Sequence, residues 1–251
     1  MGKLLGHQIK NHFKNYWFIP VLPLALIVFG LLFSSVNYNL AVRSLIIGIT
    51  ALSFGYFAAA VTVIVGDYNM FFGDSALFYE SIPISPSAKT FSRFIYYFVM
   101  FAIYTLYLGA IFVFLTLAGT EVSTISWSEI SSVINEIGTK NLLIAAGIAI
   151  IFLFNCIARI VFSISLGGCK KLRRFGFGGP VIVFIILGIL EGFATKLLDT
   201  FDFFTKMELF MNNGDVFVNF KGIGFLALLA VETILFLFGV YYFHKKRISV
   251  S

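Results

Sequence analysis

Six long apolar stretches, separated by short polar ones, dominate the pattern along this chain. They run at about 17–36, 44–66, 94–118, 141–167, 179–198 and 221–243. Crossing a bilayer as a helix takes ~20 predominantly apolar residues. Each stretch is therefore predicted as a transmembrane helix. The alternation over ~10 residues that marks strands of a membrane barrel is absent from these runs. The fold class that follows is all-α: one polytopic transmembrane domain over residues 1–251.

Ahead of the first span, residues 3–16 form a pattern of their own. Leu5, Ile9, Phe13 and Tyr16 recur at helical spacing, while Lys3, His7, Lys10 and Lys14 take another face. That arrangement predicts a helix lying in the headgroup region, with Trp17 at the interface. The plainer alternative is a simple polar leader. A basic region before an apolar run also resembles a signal peptide. The run is long, no A-x-A-like site follows it and five more spans come after, so it reads as retained.

Composition changes the picture only by confirming the class. Of 251 residues, 59% are hydrophobic and 12% charged, against roughly 25% charged in soluble domains. The basic residues then set an orientation. Twelve Lys and Arg fall on one side, in the leader, at Lys89 and Arg93, in 170–174 and in 245–247; five fall on the other, and Arg159 lies within a span. An excess of basic residues marks the cytoplasmic side, which predicts both termini inside a cell membrane. Because the charges are scattered over short loops, the net charge of +6 does not suggest a nucleic-acid partner. Cys156 and Cys169 make neither a disulfide framework nor a metal site. His7, His12 and His244 read as isolated at membrane edges.

Small residues recur four apart at Ala51, Gly55 and Ala59, and again at Gly188 and Gly192. In lipid such spacing lets helices approach closely. Two external stretches carry structure. Ser126 and Glu129 make a capping box ahead of Trp127, Ile130 and Ile137, a short surface helix. Residues 199–220 are aromatic, with Phe201, Phe203, Phe204 and Phe210 expected at membrane depth and Gly214 as a turn point. That many phenylalanines would be unfavourable in water.

The stretch Asp74–Arg93 is the most informative. Asp74 or Ser75 caps a short helix through its side-chain oxygen, and Pro83 stops that helix at Ile82. Ser85 then caps a second helix, with Pro86 at its first position. Lys89 and Arg93 follow one turn apart. Started at Pro86, the third helix exceeds thirty residues and projects out of the bilayer. An ordinary loop between two spans is the plainer reading.

The loop 169–180 holds four basic residues and a glycine cluster, yet G-x-x-x-x-G-K-[ST] occurs nowhere in the chain. Neither does H-E-x-x-H. No catalytic, cofactor-binding or metal-ligating set emerges, and no enzyme activity is expected of the chain itself.

Six spans, both ends inside, a basic amphipathic leader and a short acidic helix between the second and third spans resemble the permeases of ABC type-2 exporters. In motif the resemblance rests on Glu80, Pro83, Ile84, Ser85 and Lys89: an acidic residue before a Pro-hydrophobic-Ser step, then a Lys opening the third span. It implies a bacterial-type transport subunit in the bilayer, a second permease copy or related permease, and a separate ATPase that binds ATP and Mg. Asp74, Leu77, Phe78 and Glu80 match the coupling helix that docks on such an ATPase. Export of a hydrophobic or amphipathic cargo, such as a membrane-active peptide, would follow. A secondary transporter and a non-transporting sensor or scaffold subunit remain as alternatives.

Arg159 and Glu232 are the two charges placed deep inside spans. Each costs ~2.5–3.5 kcal/mol at a helix centre on insertion scales. Their depths differ by about 4.5 Å at ~1.5 Å per residue, so they are expected to pair. The rival is that Arg159 snorkels alone while Glu232 faces a polar cavity or a second subunit.

Overall fold

The computed structural model describes residues 2–33, 36–73, 75–117, 139–169, 172–199, 207–212, 215–220 and 224–248. The chain is an all-α multi-pass membrane protein with one added β-hairpin. Five of its helices are each long and apolar enough to cross a membrane, and a bent pair at the amino end adds a sixth crossing if counted as one span. Large apolar side chains stand outward on these helices, among them Phe54, Phe57, Leu106, Ile234 and Phe238. That surface suits hydrocarbon rather than water. The chain divides into two compact units, Met1–Val133 and Ile134–Ser251.

The first unit opens with α1 (Gly2–Tyr16) and α2 (Phe18–Leu32), which meet at 51°. Proline explains the break. The ring of Pro20 clashes with the carbonyl four residues earlier and cannot donate to it; that residue is Tyr16, where α1 ends. The predicted first span 17–36 is thus shortened to the 15 residues of α2, about 22 Å at ~1.5 Å per residue. The burial of α1 also departs from expectation. Its buried row is Leu4, Gln8 and His12, with Leu5, Ile9, Phe13 and Tyr16 only half-buried beside it.

Helix α3 (Tyr38–Phe71) is longer than the apolar run 44–66 that predicted it. Asn37 starts it early, its side chain accepting from the Leu40 amide at 3.1 Å. At the far end Gly66 and Asp67 continue the helix to Phe71. Gly30 and Gly48 set the tight crossing of α2 on α3. A Cβ at Gly30 would lie 2.7 Å from Leu45, and one at Gly48 would lie 2.8 Å from Ile27. Gly55, expected to serve this purpose, has no atom within 4 Å of where its Cβ would stand. The close approach therefore belongs to a different pair of small residues.

The short helix α4 (Ala76–Ser81) and the long helix α5 (Pro86–Leu117) lie where the sequence places them. Ile82 is extended, with φ −62° and ψ 124°, as a residue before proline prefers. Ser85 Oγ accepts from the Ala88 amide at 3.2 Å, capping α5.

The second unit contains α6 (Thr139–Gly167), α7 (Gly178–Asp199), a hairpin of β1 (Met207–Asn212) and β2 (Asp215–Phe220), and α8 (Gly224–Ile248). Gly176 turns the chain between α6 and α7 at φ +56°, a conformation that favours glycine. The backbones of Gly167 and Gly179 then approach too closely for a Cβ on either. The antiparallel strands pair from Met207 with Phe220 to Asn212 with Asp215, so Phe210 lies opposite Phe217. Phe201, Phe203, Phe204 and Gly214 lie outside the described residues, as does the capping box at Ser126 and Glu129.

Candidate partner-docking site

The site is the corner where α3, α4 and α5 meet beneath α1. Its local geometry follows from the sequence. The amides of Phe72 and Gly73 both bond to the Tyr68 carbonyl, at 2.7 and 3.0 Å, closing α3. A Cβ on Gly73 would lie 2.9 Å from the Asn69 Cα, so the turn needs a glycine. Helix α4 begins three residues later, at Ala76. Its N-cap residue is Ser75, without a side-chain cap bond; Asp74 lies outside the described residues.

Six residues leave α4 with two distinct faces. Tyr79 is buried, its ring 5.4 Å from that of Phe71 on α3 and 5.7 Å from His7 on α1. Burial pushes its phenol up to about 12. Leu77, 86% exposed, and Phe78, 56% exposed, form the other face. A helix this short has no stability of its own, so tertiary contacts must hold it. Lys89 supplies the main one. Its Nζ donates to the Glu80 carbonyl oxygen at 2.8 Å and to Glu80 Oε2 at 3.3 Å. A cation at the last turn satisfies an otherwise orphaned carbonyl and complements the helix dipole. The Glu80 carboxylate thus turns toward Lys89 of α5, and Leu77 and Phe78 are the outward positions of α4.

Below this contact, α5 carries a buried polar stripe of Lys89, Ser92, Arg93, Tyr96 and Tyr97 at spacings of one and two turns. Arg93 and Asp67 form an ion pair with no exposed side-chain surface on either partner. Arg93 Nε donates to Asp67 Oδ1 at 2.9 Å, and Nη2 donates to Oδ2 at 2.6 Å. Tyr97 Oη adds a bond to Oδ2 at 3.2 Å. The guanidinium also lies 4.7 Å from the Phe71 ring centre, a favourable cation–π arrangement. From α1, Gln8 Oε1 accepts from Ser92 Oγ at 2.8 Å. His12 is not isolated: its Nε2 lies 3.0 Å from Tyr104 Oη and its Nδ1 lies 3.1 Å from Tyr96 Oη.

Counting Lys89 and Arg93 as loop charges missed this network, because both are fully buried. The available signal was Asp67, a lone acid at the end of an apolar helix, together with polar residues on α5 recurring at the spacing of a core stripe.

In the second unit the deep charges find other partners than expected. Arg159 on α6 forms its ion pair with Glu191 on α7, not with Glu232. Gly188 makes the pairing possible, since a Cβ there would lie 2.7 Å from Arg159 Nη2. Phe184 completes the track along α7, its ring centre 4.8 Å from the guanidinium. Phe184, Gly188 and Glu191 are successive turns of one helical face. Glu232 accepts instead from Asn155 Nδ2 at 3.3 Å. Among the described residues, no group of three or more His, Cys, Asp and Glu side chains is placed to hold a metal ion. No family model matches the chain, and no curated protein or solved structure matches it either.

Proposed function

We propose that the chain is the membrane-spanning subunit of an ATP-driven exporter similar to the ABC type-2 permeases, and that α4 docks on a separate ATPase. The observation that supports this most is the way α4 is held. A six-residue helix is bolted at its C-terminal end by Lys89 and packed through Tyr79, yet it turns Leu77 and Phe78 outward. A helix fixed on its inner face and apolar on its outer face suits transmission of a push from a bound partner into α5. The partner supplies ATP hydrolysis with Mg; this chain supplies the spans and the lever. A hydrophobic or amphipathic cargo fits the apolar spans, and both termini would face the cytoplasm of a bacterial cell.

The test is co-purification of the native complex with its ATPase. Leu77→Ala with Phe78→Ala should release the ATPase, or abolish substrate-stimulated hydrolysis, while the permease still inserts and elutes as wild type. Lys89→Met should weaken the same coupling without touching the outward face. Full coupling in the Leu77/Phe78 variant would refute the docking role.

A further inference from the structure

Where α6 gives way to α7, and where α8 also ends, the second unit carries charge of one sign. Lys170, Lys171, Arg173 and Arg174 stand in the linker, Lys245, Lys246 and Arg247 in the last turns of α8, and no Asp or Glu occurs in 137–190 or 233–251. The packing of α6 on α8 brings the two basic stretches to one level. Asn155 donates to Glu232 Oε2, and seven residues further along both helices Phe162 lies against Gly239. Seven more reach Cys169 on one segment and Lys246 on the other. The linker itself is pinned. The Leu172 amide bonds to the Cys169 carbonyl at 2.9 Å, the Phe175 amide to the Leu172 carbonyl at 3.0 Å, and the Gly179 amide to the Gly176 carbonyl at 3.2 Å. A single 3-10 turn, Arg173–Phe175, results. Two cations at this end each lie over an outward ring. The Arg174 guanidinium is 4.9 Å from the Phe175 ring centre, and Lys246 Nζ is 5.0 Å from that of Tyr242. Phe175 is 48% and Tyr242 45% exposed, and Arg174, Lys245 and Lys246 are exposed as well.

We propose that this end of the second unit is a binding surface for anionic phospholipid headgroups, with Arg174, Lys245 and Lys246 meeting the phosphates and Phe175 and Tyr242 seated where headgroups give way to acyl chains. The apolar spans set the depth. One ends at Gly167, the next begins at Gly178 and the last ends at Lys246, so the first anions these cations meet are headgroups. Basic clusters directly beside a span draw anionic lipid, and phosphate oxygens accept strong bonds from guanidinium and ammonium donors. Exposed aromatic rings beside the cations suit the membrane interface. Orientation during insertion asks only that basic residues lie on one side of the membrane. It does not ask for a pinned turn, for two stretches held at one level, or for cations seated over outward rings. The inference stands apart from the docking role of α4 and from the identity of any partner subunit.

Lipid retention by the purified full-length chain tests it. The protein is equilibrated with phosphatidylcholine and phosphatidylglycerol of matched acyl chains, and the lipids that stay bound are counted by native mass spectrometry. Wild type should hold phosphatidylglycerol roughly threefold or more above its share of the mixture, and about 0.5 M salt should weaken that preference. Arg174→Gln combined with Lys245→Gln and Lys246→Gln should remove most of it. Lys140→Gln, at the opposite end of α6, should leave it unchanged. Where the triple variant fails to insert, Arg174→Gln and Lys246→Gln singly should each lower the preference. Inorganic phosphate at the concentration of the added lipid should not displace phosphatidylglycerol. No preference in wild type, an unchanged preference in the triple variant or in both single variants, an equal loss in Lys140→Gln, or displacement by inorganic phosphate would each overturn the proposal.

Discussion

Arg93 of α5 and Asp67 of α3 share an ion pair from which water is excluded on both sides, with a closest N–O distance of 2.6 Å. Such pairs gain little over a matched apolar replacement, but breaking one leaves a buried charge at a cost of ~3–5 kcal/mol. Arg93→Met or Asp67→Leu alone should therefore lower the thermal unfolding temperature sharply in detergent. The double replacement should recover much of the loss. Equal, additive losses would show that the two side chains do not act as a unit.

Tyr79 carries a buried hydroxyl that finds no hydrogen-bond partner among the described residues. Leaving such a group unsatisfied costs ~1–3 kcal/mol, so Tyr79→Phe should be neutral or stabilising at pH 7. A pH signature accompanies it. The phenol is raised in the folded chain from 10 to about 12. The unfolded chain then loses its proton first, and the contribution is complete below pH 10 and lost as pH rises toward 12. Melting curves between pH 9 and 11 should fall more steeply for wild type than for Tyr79→Phe.

Gly188 and Gly192 lie one turn apart on α7 and should respond differently to a methyl group. At Gly188 a Cβ would sit 2.7 Å from Arg159 Nη2, whereas at Gly192 nothing lies within 4 Å. Gly188→Ala should displace the guanidinium from Glu191 and lower the yield of folded protein. Gly192→Ala should leave yield and melting within ~0.5 kcal/mol of wild type. Comparable losses at both positions would mean that general helix crowding, not the Arg159 track, is at issue.

Much of the corner around α4 was legible in the sequence. Ser85 and Pro86 start α5, Pro83 stops α4, and both elements fall at the predicted residues. Capping and proline sterics are local, so a few neighbouring residues decide them. The partners of Lys89, Arg93, Arg159 and Glu232 were not legible. Charge counting placed Lys89 and Arg93 on a wetted surface and matched Arg159 with Glu232 by depth alone. Depth orders residues along a helix but does not say which faces turn toward each other.

By itself, then, the sequence determined the class, the apolar spans and the punctuation between them, because hydrocarbon leaves a backbone few structures to choose from and prolines act on their nearest turns. Only the tertiary structure decided that Asp67 meets Arg93, that Lys89 bolts α4 through Glu80, and that Arg159 reaches past Gly188 to Glu191. Those pairings depend on helix rotation and crossing, as at Gly188, where the missing Cβ leaves room for the Arg159 guanidinium. In a chain whose apolar residues satisfy lipid on almost any face, hydrophobic periodicity carries little information about which face turns inward.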